Sequence, residues 1–295
     1  MAKACYRQSG RSLVELMVAM ALALVLLAAA LVLTLAGGRS ARHQDALARL
    51  DEHGALALDL LAAQLRMAGY ARPVRQGPLG AAAGHYAGAG VRGCDHGFVS
   101  VAVADGDALS CLPGPGGAAA LAVQYEADAA STWPGAAGQP TDCAGNQIAA
   151  STAATGGSYV LADNRFFIRV NPQTGQSMLY CAGSGGTGFA AQPLIDNVEH
   201  LQLRWGIGDE GRRGVVRHLD ATAFDAEYAH DPARWARVVS VEVCVVLATP
   251  EGLSDEPAAH LDCNGRAVWP ADATRRRIRR SYAATVQLRN HGGSP

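Results

Sequence analysis

The spacing of apolar positions changes character twice along the chain. Residues 16–36 are apolar without interruption except for Thr34, and none of them is charged. As a helix rising about 1.5 Å per residue, this run spans roughly 30 Å, the hydrocarbon thickness of a bilayer. Apolar positions then recur at intervals of three and four: Leu47, Leu50, Gly54, Leu58, Leu61, Leu65 and Ala68. Arg42, Asp45, Arg49, Asp59 and Arg66 fall largely off that line, so the pattern predicts an amphipathic helix with one face buried. Gly69 and Pro73 mark its end. Between the two patterns stands Gly37-Gly38; two interior glycines cost about 2 kcal/mol relative to alanine, which predicts a softened joint in one long helix.

Beyond Pro73 the period falls to two. Val99, Val101 and Val103 alternate, as do Leu121, Val123 and Tyr125, then Phe166, Ile168 and Val170. "NPQTGQS" reads as a turn and 177–181 as the returning strand. Leu201, Leu203 and Trp205 predict another strand, and Ala284, Val286 and Leu288 the last. Residues 239–247 are apolar on both faces, which predicts a central strand. Asp231-Pro232 predicts an N-cap opening a short helix through Trp235. Gly-, Ala- and Pro-rich stretches at 77–90, 113–120, 133–145 and 183–188 separate the strands. The expected class is α+β, with one long helix packed on an antiparallel sheet and long loops between strands.

Composition narrows the setting. A formal net charge of -1 over 295 residues, with mixed signs and no basic tract, gives no footprint for nucleic acid. Seven cysteines are present. Cys5 precedes the apolar run, and Cys94, Cys111, Cys143, Cys181, Cys244 and Cys263 come after it. An even number beyond a membrane segment fits an oxidising compartment and up to three disulfides. Spacing leaves the connectivity open; neighbour pairing (94–111, 143–181, 244–263) is the simplest. Lys3, Arg7 and Arg11 precede the apolar run, which keeps the short N-terminus cytoplasmic and sends the remainder to the periplasm.

Candidate chemistry is sparse. Residues 183–188 formally match GxGxxG, but Pro193 leaves no room for the helix that would hold a pyrophosphate. Ser184 brushes against a nucleophile elbow, with Ala182 where the first glycine belongs. Cys94-Asp95-His96 with His85 could ligate a metal, though a disulfide at Cys94 is the preferred reading. Asp105-Gly106-Asp107 is too short for a calcium loop and reads as a turn. No catalytic constellation emerges, so no enzyme activity, metal or cofactor is expected.

Glu15 is the one charge at the head of the apolar helix. Ser12-x-x-Glu15 has the spacing of a capping box. A carboxylate at the edge of an apolar helix also wants a positive partner. A cut before Arg11 would place a new α-amino group four residues from it, so in a bundle of parallel helices one subunit's amine could neutralise its neighbour's Glu15.

"GRSLVELMVA" behind a basic leader resembles the class III signal of type IV prepilins. The resemblance implies that prepilin peptidase cuts between Gly10 and Arg11, that Arg11 is N-methylated, and that Glu15 docks the subunit into a growing assembly. The departure is Arg11, where that family usually has Phe. "HQDALARLDEHGALALDLLAAQLRMAGY", "TDCAGN", "PLIDNVEHLQLRWG", "WARVVSVEVCVVLAT" and "RRSYAATVQLRN" resemble, in order, the PilW family of minor pilins. This implies a leader (1–10), a membrane and filament-core helix (11–36), its amphipathic continuation (37–72) and a periplasmic β-rich domain (73–295). It implies a pilin-like fold with disulfide-stapled loops. The implied subunit sits in the inner membrane and then at the pilus tip, priming assembly with other minor pilins, the major pilin and a PilY-type adhesin. A J-like minor pseudopilin of type II secretion shares the same N-terminus. A membrane-tethered periplasmic binding or hydrolytic domain is the reading from another class.

Overall fold

The computed structural model describes residues 10, 12–75, 82–114, 116–153, 157–208, 214–250, 258–269 and 276–290. Arg11 and residues 1–9 lie outside the described residues. The chain divides into two units, Met1–Ala48 and Arg49–Pro295.

The first unit holds the beginning of helix α1 (Leu13–Met67). Ser12 occupies the N-cap position, its carbonyl accepting from the Leu16 amide at 3.2 Å. Helical structure continues through Gly37-Gly38, in one long helix as expected. The propensity cost of two glycines is small against the cooperative hydrogen-bonding of so long a helix. Polar side chains along this stretch turn back onto the helix: Thr34 Oγ1 donates to the Leu31 carbonyl at 2.9 Å, and Arg42 Nε donates to the Gly38 carbonyl at 3.3 Å.

In the second unit the end of α1 lays its apolar stripe into a core. Leu50, Gly54, Ala57, Leu61, Leu65 and Ala68 are buried, whereas Leu56 on the opposite side is exposed. Gly69 comes just after the helix with φ +73°, a left-handed conformation that glycine adopts at no steric cost, and its amide donates to the Gln124 carbonyl at 2.9 Å.

Two antiparallel sheets share that core. The first contains, in spatial order, β1 (Val91–Cys94), β2 (Ala120–Glu126), β3 (Ser158–Val170), β4 (Ser177–Gly183) and β5 (Ala191–Asp196), with the short strand Ala150–Thr152 also paired to β3. The second uses β6 (Val198–Gly208), β7 (Val215–Leu219), β8 (Val238–Ala248) and β9 (Arg279–Gln287), in the order β7-β6-β8-β9. β8 lies between two neighbours, Val243 facing Leu203 on one side and Ala284 on the other. This central position explains why its sequence is apolar on both faces. Pro193 sits in β5 at the sheet margin, where its missing N–H breaks no ladder. The core joins Leu121, Val123 and Phe166 of the first sheet to Leu201, Leu203, Trp205, Val241 and Val243 of the second and to Leu61 and Leu65 of α1. A short helix α2 (Ala221–Glu227) adds Phe224, which meets Trp235 at 5.0 Å between ring centroids, and Trp235 meets Trp205 edge-on at 4.8 Å.

Five expected or overlooked elements differ. Residues 99–103 form no strand, because the Val101 and Val103 carbonyls accept from Arg165 Nη1 at 2.7 and 2.6 Å instead of joining a ladder. The helix expected from Asp231-Pro232 is a single 3₁₀ turn, Arg234–Arg237, although Asp231 Oδ1 does accept from the Ala233 amide at 2.9 Å. Helix α2, capped by Asp220 Oδ1 on the Ala223 amide at 2.7 Å, and strands β5 and β7 had no counterpart in the periodicity. Cys94 is bonded to Cys111, Cys143 to Cys181 and Cys244 to Cys263.

Candidate assembly site

The apolar beginning of α1 is uncovered. Leu13, Val14, Leu16, Met17, Leu22, Leu27 and Leu35, among its other large side chains, are each more than half exposed. A contiguous apolar surface of this kind marks a partner or a membrane rather than a solvated face. Glu15 is the carboxylate of the first turn, where the helix dipole favours negative charge, and it too is exposed. Gly10 is exposed just ahead of the helix. Arg11, expected to be the first residue after cleavage and the methylated one, lies outside the described residues.

The far half of α1 is fastened to the sheets by polar contacts that the periodicity could not reveal. Asp51 accepts from Arg280 Nη1 at 2.7 and 2.8 Å and from the Tyr282 hydroxyl at 2.6 Å, tying the helix to β9. The Tyr282 hydroxyl and then Arg280 hold the Asp51 carboxyl below the usual carboxylate range, while burial and then the hydrogen bond to Asp51 push the Tyr282 phenol up. Gly54, one turn further on, has the Tyr282 ring lying directly against its Cα. Gln64 Oε1 accepts from Asn164 Nδ2 on β3 at 2.8 Å, and Asn290 Nδ2 donates to the Arg66 carbonyl at 3.0 Å. The only advance signal was a glycine inside an apolar stripe, which required a close neighbour without naming it.

The remaining sequence candidates are spent on structure. Asp142 Oδ2 accepts from the Gly185 amide at 2.9 Å, and Oδ1 accepts from the Ala144 and Asn146 amides at 2.9 Å each. A Cβ at Gly183 or Gly185 would collide with the Asp142 side chain, so these glycines make room for a carboxylate of the chain itself. Ser184 Oγ donates to the Leu161 carbonyl and accepts from the Asp163 amide, both at 3.2 Å. His85 lies 3.2 Å from Glu126 Oε1 and stacks on Tyr159, whereas Asp95 accepts from the Ala221 amide, the Thr222 amide and the Thr222 hydroxyl at 2.9, 2.8 and 2.6 Å. His96 is half-buried, and Cys94 is in its disulfide. Asp105 to Asp107 forms a tight turn, with Asp105 Oδ1 accepting from the Asp107 amide at 2.9 Å. Among the described residues no three His, Cys, Asp or Glu side chains are grouped to hold a metal ion.

Three arginines near the C-terminus are also paired internally. Arg277 and Arg279 both reach Glu199, the latter at 2.6 Å, and Arg280 reaches Asp51. A buried network links the first sheet to its long loop. Arg165, fully buried, pairs with Asp163 at 2.7 Å and lies over the Phe189 ring at 3.6 Å, and Asp163 Oδ2 also accepts from Gln124 Nε2 at 2.9 Å.

Comparison with known proteins finds matches toward both ends of the chain. Residues 165–290 match the family model of the type IV pilus-assembly protein W, and residues 5–31 match the prokaryotic N-terminal methylation motif. No curated protein matches the chain. A solved structure, a type IV-like pilin from Thermus thermophilus, is 12% identical with a TM-score of 0.42, covering 83% of this chain and 99% of that one. The chain thus carries a prepilin-type methylation motif at the head of a bare apolar helix and a match to the PilW family model over residues 165–290, and in these two stretches it is similar to type IV pilin-like proteins.

Proposed function

We propose that the chain is a minor pilin that joins a priming and tip complex at the start of type IV pilus assembly. Residues 1–10 are the leader removed by prepilin peptidase between Gly10 and Arg11, and Arg11 then carries the N-methyl group. Residues 11–36 hold the subunit in the inner membrane until they enter the filament core, 37–72 carry its amphipathic continuation, helical to Met67, and 73–295 form the periplasmic head. Glu15 neutralises the terminal amine of a neighbouring subunit. Other minor pilins, the major pilin and a PilY-type tip adhesin are the partners. The role is mechanical and not enzymatic.

The observation that carries this reading is the uncovered apolar helix headed by one carboxylate, joined to a head in which the other polar motifs are spent on folding. A helix of that length and composition is stable in a bilayer, or among like helices. A carboxylate in such a bundle is stable only beside a positive group.

The test is Glu15→Ala. Leader removal should proceed as in the wild type, while co-purification with the other minor pilins and surface piliation should fall. Normal piliation and a normal complex in that variant would refute the pairing. Deletion that abolished protein secretion while sparing pili would instead favour the pseudopilin assignment.

A further inference from the structure

The same turn is built twice, once against each sheet, and each copy carries a disulfide. In Asp142-Cys143-Ala144-Gly145-Asn146, Asp142 Oδ1 accepts from the amides two and four residues on, at 2.9 and 2.9 Å. The Asp142 amide donates to the Asn146 carbonyl at 2.9 Å, and the Gly145 amide donates to the Asp142 carbonyl at 3.0 Å. In Asp262-Cys263-Asn264-Gly265-Arg266 the four bonds recur at the same offsets, at 2.8, 2.8, 2.9 and 3.0 Å. Gly145 and Gly265 stand at φ +80° and +73°, which an L side chain adopts only with strain. The amides of the second turn also hold the Asp262 carboxyl below its usual range.

Exposure within the two bridges is unequal in the same sense. Cys143 and Cys263, on the turns, are half-buried, while their partners Cys181 in β4 and Cys244 in β8 are buried, at 0% and 7% exposure. The bridges close over 38 and 19 positions, but each turn closes over four. Short closures cost less chain entropy, so the turn precedes the bridge.

We propose that the two Asp-Cys-x-Gly turns are entry sites for oxidative folding, presenting Cys143 and Cys263 to an external disulfide while Cys181 and Cys244 wait on the strands as resolving thiols. The turn cysteine, as thiolate, attacks one sulfur of the external disulfide. A mixed disulfide forms and the other sulfur leaves as a thiolate. The strand cysteine then loses its proton and attacks the turn sulfur, forming the native bridge and expelling the second external thiolate. Two electrons pass from the cysteine pair to the external disulfide, which is reduced to two thiols. Access and thiolate character set the rate of the first step, and burial denies both to the strand sulfur.

The test uses the full chain in detergent with oxidised glutathione as the external disulfide. In Cys244→Ser the remaining Cys263 should gain glutathione about tenfold faster than Cys244 does in Cys263→Ser, read by peptide mass spectrometry. Cys181→Ser and Cys143→Ser should repeat the difference, and urea should abolish it. Equal rates, or faster reaction at the strand cysteine, in variants with native near-ultraviolet circular dichroism overturn the proposal. Where a variant loses that spectrum, Asp262→Ala and Asp142→Ala in the all-cysteine chain decide. Each should weaken its own bridge in a glutathione redox buffer by about fivefold, the worth of one or two hydrogen bonds, and spare the other. Unchanged bridges in both variants overturn it.

Discussion

Gly54→Ala tests the fastening of α1 to β9 with a single methyl group. In an exposed helix this change is favourable by about 1 kcal/mol, because glycine gives up more backbone entropy. At Gly54 the new Cβ would lie 2.5, 2.6 and 2.7 Å from three Tyr282 ring atoms, closer than side-chain carbons approach. The ring cannot swing aside freely, since its hydroxyl donates to Asp51 at 2.6 Å and Asp51 also accepts from Arg280. Overpacking of this kind costs about 1–3 kcal/mol and a lost hydrogen bond about 1 more, so the net loss is about 2 kcal/mol after the propensity gain. For a domain of this size that lowers the melting temperature by about 5 °C. Gly37→Ala is the matched control, because its Cβ would meet nothing within 4 Å, and it should hold or raise stability. Thermal unfolding of the full chain in detergent, monitored by near-ultraviolet circular dichroism, reads both. A Gly54→Ala protein as stable as Gly37→Ala would refute the close-packed joint.

Arg165→Met should leave the Asp163 carboxylate and the Val101 and Val103 carbonyls without their cation, costing about 3–5 kcal/mol and opening the 95–119 loop to limited proteolysis. Acid should destabilise the head in two steps. Burial holds the His200 pKa below its usual 6.5, so unfolding takes up a proton there and stability falls as pH drops through about 6.5; His200→Gln should flatten that step in pH-dependent melts. The lowered Asp51 carboxyl contributes in full above the usual carboxylate range, and its contribution disappears as pH falls through its depressed value, a slope that Asp51→Asn should reduce.

Two residue types explain how the fold could be read and where reading stopped. Period-two runs in 121–125, 166–170 and 201–205 became strands; in 201–205 burial on one face takes every second side chain, whereas 121–125 is largely buried on both faces and Val170 is exposed. Val99, Val101 and Val103 carry the same period and form a loop, because the Val101 and Val103 carbonyls are claimed by an arginine more than sixty residues away. The glycine-rich 183–188 stretch reads as a loop and not as a nucleotide site, but its filling by Asp142 had no local signal. Nothing local announces such a partner, since contact between distant segments is a property of the folded chain.

By itself the sequence determined the features that local composition dictates. An uncharged apolar run of that length must be sheltered from water, Glu15 must stand at its head, the 3–4 spacing after it must bury one helical face, and the motif before the helix marks it as prepilin-like. Tertiary structure decided which cysteines meet, which sheet each strand joins, and that Asp51, Arg280 and Tyr282 clasp the helix across more than two hundred residues of chain. The division is physical: hydrophobic period and helix propensity act between neighbours, whereas hydrogen bonds, packing and disulfides are fixed by distances in space that the chain reaches only once folded.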